Sequence, residues 1–234
     1  LHLINSDTNV AYAFDAAKGT HIGVLKRGAP VSDIRWIEGP ICFVFHYMNG
    51  WNEGEKITID TIEFAVAPNF PFVDGSLPSH AQAQGKLVRW HINLKNGDVS
   101  QEPLLDVASE FPRFDERFVA GRYKHGYIAA ASKRQRGDGG LFHEITHINL
   151  DSGLTSTWDA GTGNGVSEPV FVPDSKGAAE GEGWLLATVY KEATKNSDLV
   201  VLNAQAVQDG PVATVCLDHR VPFGFHGSWR PGMV

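Results

Sequence analysis

The chain has 234 residues, 42% of them hydrophobic, with 20 Lys and Arg against 27 Asp and Glu and a formal net charge of −7. That composition supports one large domain with a buried core and excludes wholesale disorder; with no basic run, it also speaks against a nucleic-acid partner. Two cysteines, Cys42 and Cys216, cannot build a disulfide framework and fit a reducing, cytoplasmic setting, and no apolar run approaches the ~20 residues of a membrane span.

The pattern along the chain is short strands punctuated by turn residues; the 25 Gly and 12 Pro suit a turn-rich β protein. Residues 41–48 read as a strand ended by the turn dipeptide Asn49-Gly50. Residues 56–67 alternate through Ile57, Ile59, Ile62 and Phe64, with an irregularity expected near Thr61. Residues 67–84 carry three prolines and read as a loop, after which 86–94 alternate again and run into Lys95-Asn96-Gly97-Asp98. Further strands are expected at 126–131, 141–150, 169–172, 184–190, 199–202 and 212–217, with a small acidic loop at 174–183. No 3.6-residue apolar period is sustained, so helix should be scarce.

Residues 90–97 and 146–153 repeat each other around His-Ile-Asn-Leu, about 56 residues apart, and residues 199–203 form a weaker third copy. A period of this length in a strand-and-turn chain favours a β-propeller, each blade a four-stranded meander whose outer hairpin carries the repeat, over a sandwich of ordinary hairpins. At about 58 residues per blade the chain holds about four blades in a single domain over residues 1–234.

Four places could carry chemistry. His143-Glu144-Ile145-Thr146-His147 spells the zinc-protease pattern, but that mechanism needs a helix, and these residues lead into a strand and turn. On a strand the two histidines stand ~13 Å apart, too far for one metal, so an exposed polar strand is the better reading. Gly161-Thr162-Gly163-Asn164-Gly165 lacks the Lys-Ser/Thr of a phosphate loop and reads as a turn. His46 lies on an apolar strand, where a core role is the usual one. His226 lies between aromatics, with Gly224 and Gly227 leaving room for close backbone approach.

Taken together, successive motifs resemble those of the carotenoid cleavage oxygenases, the family that includes the retinal-pigment isomerase and the lignostilbene dioxygenases. They are Phe45-His46 with Asn49 and Trp51-Asn52-Glu53-Gly54, then Glu110-Phe111-Pro112-Arg113, Ser167-Glu168-Pro169, and Pro222-Phe223-Gly224-Phe225-His226-Gly227. The resemblance implies a seven-bladed propeller with a non-haem Fe(2+) on its axis, bound by four histidines, three of them oriented by glutamates. It makes His46 and His226 two of the iron ligands, with Glu110 orienting His46 and Glu168 orienting His226. It implies cleavage of a C=C bond by O2 into two carbonyl products, on a small apolar conjugated substrate such as a carotenoid, apocarotenoid or stilbene. Phe45, Phe223 and Phe225 are candidates for an apolar tunnel, with plain core packing as the alternative.

The steps from 46 to 110, 168 and 226 are 64, 58 and 58 residues, which match the repeat and set each marker in an equivalent place of successive blades. His2 and His21 lack the motifs expected around the other two ligands. The chain, which begins with Leu1, is therefore expected to be the C-terminal half of such an enzyme and to be incomplete as a catalyst alone. A non-catalytic binding propeller and a zinc hydrolase built on residues 143–147 are the competing readings. A peripheral membrane contact is compatible with the family, and the oligomeric state is left open.

Overall fold

The computed structural model describes residues 12–132 and 142–232. Among the described residues regular structure is almost wholly β, with only single-turn 3-10 segments besides, and no helix is long and apolar enough to cross a membrane.

A two-stranded ribbon pairs β1 (Thr20–Val24) with β2 (Arg35–Gly39). Three antiparallel meanders follow. The first runs β3 (Phe43–Glu53), β4 (Lys56–Phe64), β5 (Lys86–Asn93), β6 (Val99–Leu105). The second runs β7 (Ala108–Phe114), β8 (His125–Ala131), β9 (Glu144–Asn149), β10 (Thr155–Asp159). In the third the leading strand is broken into β11 (Gly165–Val166) and β12 (Val170–Pro173), both paired with β13 (Gly183–Tyr190), and β14 (Ser197–Asn203) and β15 (Pro211–Cys216) complete it. These are propeller blades. Three whole blades and a two-stranded ribbon stand where the period implies about four.

The sequence repeat is the third strand of each blade, β5, β9 and β14, with the turn that follows. Asn93, Asn149 and Asn203 each use their side-chain oxygen to accept the backbone N–H two residues on, at 2.9, 3.1 and 2.9 Å. Gly97 and Gly153 then close the first two turns by donating to the carbonyls of Asn93 and Asn149, in a left-handed conformation (φ 82° and 72°) that favours glycine.

Blade stacking explains β8. Its alternate residues serve two cores: Ile128 and Ala130 join Met48, Ile62 and Leu87 of the first blade, while Tyr127 and Ala129 join Phe171, Leu185 and Leu202 of the third. Both faces are therefore buried and the strand reads as an unbroken apolar run. Each fully buried Leu or Ile contributes roughly 1.5–3 kcal/mol. β9 is buried in the same way; the expectation of an exposed polar strand at 143–147 fails because β9 lies between β8 and β10 under a neighbouring blade.

Asn49-Gly50 is not a turn. β3 runs through it, and the reversal comes at Gly54 (φ 58°). Asn49 instead spends its polar side chain on the next blade. Its Nδ2 donates to the carbonyls of Phe118 and Gly121 at 3.2 and 3.1 Å, and its Oδ1 accepts the Ala120 amide at 3.1 Å. Residue 141, at the start of one expected strand, and His2 lie outside the described residues.

Candidate metal centre

Each blade's leading strand is interrupted at the residue that matters. In β3 the register slips between Val44 and Tyr47 and again before Asn49, so His46 falls in a bulge, where Thr61 Oγ1 donates to its carbonyl at 2.9 Å. In β7 the register slips between Glu110 and Arg113, and Phe111 takes a left-handed φ of 55°. Glu168 sits in the gap between β11 and β12. A bulge turns a side chain out of the regular alternation, and Pro112 and Pro169, which have no N–H to give a ladder, are tolerated at such breaks.

His226 lies in no strand. It follows β15 on a segment anchored by Ser197: Leu217 N donates to the Ser197 carbonyl (3.0 Å), Ser197 N to the His219 carbonyl (3.2 Å), and Val221 N to Ser197 Oγ (3.0 Å). The Arg220 guanidinium lies over the rings of Tyr190 and Phe223 at 5.2 and 5.3 Å and holds the same stretch.

These breaks bring four sequence-selected residues together. His46 Nδ1 is 2.6 Å from Glu110 Oε2, and His226 Nδ1 is 3.2 Å from Glu168 Oε1. The two Nε2 atoms face each other at 3.2 Å, with the rings at 81°. Both carboxylates are buried, at 6% and 5% exposure. The Phe111 amide donates to Glu110 Oε2, and the Gly227 amide to Glu168 Oε2 at 2.8 Å. Burial pushes the Glu110 carboxyl above the usual range, against the opposing pull of the Phe111 amide and His46, and its buried Oε1 has no hydrogen-bond partner among the described residues.

The donor set fits a cation. A carboxylate accepting at Nδ1 fixes the proton there and leaves the lone pair on Nε2. Two such lone pairs 3.2 Å apart repel unless one ring is protonated or a shared cation sits before them. Metal–imidazole bonds run about 2.1 Å, so one ion can reach both nitrogens. Neutral imidazole suits iron, zinc, copper and nickel, so the donors alone do not select the metal.

Phe111 completes the centre and is absent from the sequence-selected set. Its ring lies 5.5 Å from His46 and 6.4 Å from His226, edge-on to Phe142 at 6.3 Å. The Glu-Phe-Pro string was visible, but nothing in strand alternation signals a left-handed phenylalanine. The other aromatics are dispersed. Phe45 packs on Phe43 and Phe64 with its ring 6.2 Å from His46. Phe223 lines a cavity of about 200 Å³ with Phe111, Phe142 and Val166. Phe225 lines another of about 300 Å³ with Glu168, Val170, Leu186 and His226, and is itself largely exposed.

The other sequence-selected histidines among the described residues lie elsewhere. His143 precedes β9 and meets Asp159 Oδ1 at 3.0 Å, whereas His147 meets His125 Nδ1 at 2.8 Å. Glu144 accepts from the amide and hydroxyl of Ser132. The two histidines of the zinc-protease pattern thus have separate partners and no helix. His21 is on the ribbon, with Nε2 3.0 Å from the Lys18 carbonyl.

Stacked four-stranded blades that bring two carboxylate-backed imidazoles to one point, one from a leading strand and one from the segment after β15, define a β-propeller with a candidate metal site. Residues 4–231 match the family model of the retinal pigment epithelial membrane protein, and the chain belongs to that family. It is 35% identical to an isoeugenol monooxygenase of Pseudomonas nitroreducens, over 94% of this chain and 48% of that one. Against lignostilbene-alpha,beta-dioxygenase isozyme III of Sphingomonas paucimobilis the identity is 34%, over 93% and 48%. The structure of a Pseudomonas brassicacearum lignostilbene dioxygenase superposes with a TM-score of 0.84 at 32% identity, covering 90% of this chain and 46% of that one. Cobalt-substituted Synechocystis ACO gives 0.81 at 29%, over 93% and 45%. The chain spans about half the length of the curated relatives it matches.

Proposed function

We propose that this chain supplies His46 and His226 as two ligands of a non-haem Fe(II) centre in a dioxygenase that splits a conjugated C=C bond with O2 into two carbonyl products. The observation that carries the reading is the pair of Nε2 atoms 3.2 Å apart, each ring backed at Nδ1 by a buried glutamate. Relatives named for isoeugenol, lignostilbene, apocarotenoid and carotenoid oxygenases support a substrate with an alkene conjugated to an aromatic ring or polyene. When bound, the iron would bring O2 beside the alkene.

The chain's own residues do the rest. Glu110 and Glu168 accept the Nδ1 protons and keep both Nε2 atoms aimed at one point, a kind of support whose loss typically costs 10–100-fold in affinity or activity. Phe111 shields the rings from water. Phe45, Phe223 and Phe225 are the apolar surface offered to the substrate. The remaining ligands come from residues outside this constellation.

The test is metal analysis of the intact protein with an O2-dependent cleavage assay on a stilbene, a phenylpropene and an apocarotenoid. Stoichiometric iron and two carbonyl products are expected, with both lost in His226→Ala and retained in His143→Ala. Protein without metal points to a binding propeller; zinc that disappears with His143→Ala restores the hydrolase reading.

A further inference from the structure

Arg113 ties the two His–Glu pairs together. It lies three residues past Glu110 on β7, beyond the bulge, so the strand that presents one orienting carboxylate also reaches the other. Its Nη1 donates to Glu168 Oε2 at 2.8 Å and to the Gly227 carbonyl at 2.9 Å, while Nη2 pairs with Glu116. Glu168 is thereby occupied on both oxygens: Oε1 faces the His226 ring, and Oε2 accepts from the Gly227 amide and from Arg113. Both polar backbone atoms of Gly227, the residue after His226, are thus held, the amide by Glu168 and the carbonyl by Arg113.

This matters because His226 has no ladder to fix it. Residues 217–232 form no strand, and the His226 side chain is half-exposed in this chain. Beyond the Ser197 and Arg220 anchors, which hold residues 217–223, its direction depends on Glu168, Gly227 and Arg113. His46, by contrast, is rooted in an eleven-residue strand. The relative placement of the two imidazoles is thus set where β7 meets the irregular segment.

We infer that Arg113 is the positioning residue for His226: a cross-blade strut that fixes Glu168 and the Gly227 carbonyl, and through them the angle at which His226 meets the metal. The inference rests on the proposed metal centre. A planar guanidinium is suited to the task because one group holds a carboxylate and a carbonyl at once; a lysine offers a single point charge at the end of a flexible stem.

The test compares Arg113→Gln, Arg113→Lys and Glu116→Ala with the parent in the intact protein. Iron affinity by chelator competition should fall about tenfold in Arg113→Gln, the scale of lost outer-shell partners. It should be partly restored in Arg113→Lys and fall only about two- to fivefold in Glu116→Ala, which removes an exposed partner. The visible spectrum of the cobalt-loaded protein should change in Arg113→Gln, and kcat should fall with KM little altered. In the metal-free protein, hydrogen exchange of the Gly227 amide should quicken in Arg113→Gln while that of the β8 amides stays unchanged.

Parent-like affinity, spectrum and exchange in a folded Arg113→Gln would overturn the inference and leave the metal centre standing. A parent protein that binds no iron or cobalt would overturn both. Should Arg113→Gln not fold, parent-like affinity, spectrum and exchange in both Arg113→Lys and Glu116→Ala would reject the strut.

Discussion

His147 is 8% exposed, in the middle of a blade, with its ring 5.2 Å from Tyr127 and its Nε2 2.8 Å from His125 Nδ1. Burial, then the neighbouring His125, pushes it down to about 4, and burial also lowers His125, with Glu180, Asp151 and Asp115 pulling the other way and Lys124 adding to the lowering. Both rings are therefore neutral in the folded protein near pH 7, whereas the unfolded chain takes up these protons near pH 6.5. Stability is fully present above that value and is lost as pH falls from about 6.5 towards 4, because the unfolded state then binds more protons. His147 alone should account for about 2 kcal/mol of loss between pH 7 and pH 5. Urea melts at the two pH values measure it, and His147→Gln should flatten the difference; an unflattened difference would mean that the ring is protonated in the fold. Its neighbour Tyr127 gives a prediction of opposite sign. The Tyr127 hydroxyl is buried with no hydrogen-bond partner among the described residues, and its ring stacks between those of His147 and Phe171. Tyr127→Phe removes a desolvated group and no bond, so it should raise stability by about 1 kcal/mol, seen as a higher Tm.

Strands carry two kinds of information, and only one is written as a pattern. β5, β9 and β14 were legible because alternation and an Asn turn recur at blade spacing, whereas the irregularity expected near Thr61 falls on the partner strand: β3 slips register opposite Thr61, and β4 pairs with β5 without a break. β7 was not: Pro112 and two charged residues interrupt Ala108–Phe114, yet this strand positions Glu110, Phe111 and Arg113. A bulge is fixed by cross-strand register, which a single strand's sequence does not encode. Asn49-Gly50 misleads for a related reason. The dipeptide has turn chemistry, but tertiary partners on the 118–121 loop satisfy Asn49 better than a turn would. Asn49→Ala leaves two carbonyls and one amide of the next blade without their partner. A loss of about 2–3 kcal/mol is expected in denaturant melts, at the upper end of single-site costs outside a core. A loss under about 0.5 kcal/mol would mean that water replaces the side chain at no cost and that this contact does not join the blades.

Across the whole molecule, three blades contribute to one point: β3 gives His46, β7 gives Glu110, Phe111 and Arg113, the β11–β12 break gives Glu168, and the segment after β15 gives His226. The even spacing of 46, 110, 168 and 226 made this convergence legible before any coordinates, since residues one blade apart occupy equivalent positions around an axis. The 3.2 Å approach of the imidazoles was not legible, because it depends on bulges and on an unladdered segment. A metal at that point would bind only when all three blades are assembled, so its binding energy belongs to the assembly. With free metal 100-fold above Kd the stabilisation is about 2.7 kcal/mol. Stripping the metal from the intact protein with a chelator should therefore lower Tm reversibly, and adding Fe(II) under anaerobic conditions should restore it. The His46→Ala/His226→Ala pair should melt at one temperature with or without chelator. If chelation removes the metal and leaves the parent's Tm in place, the ion does not hold the blades together. If the double variant still responds to chelator, the ion is held by other residues, and the convergence at His46 and His226 is not its site.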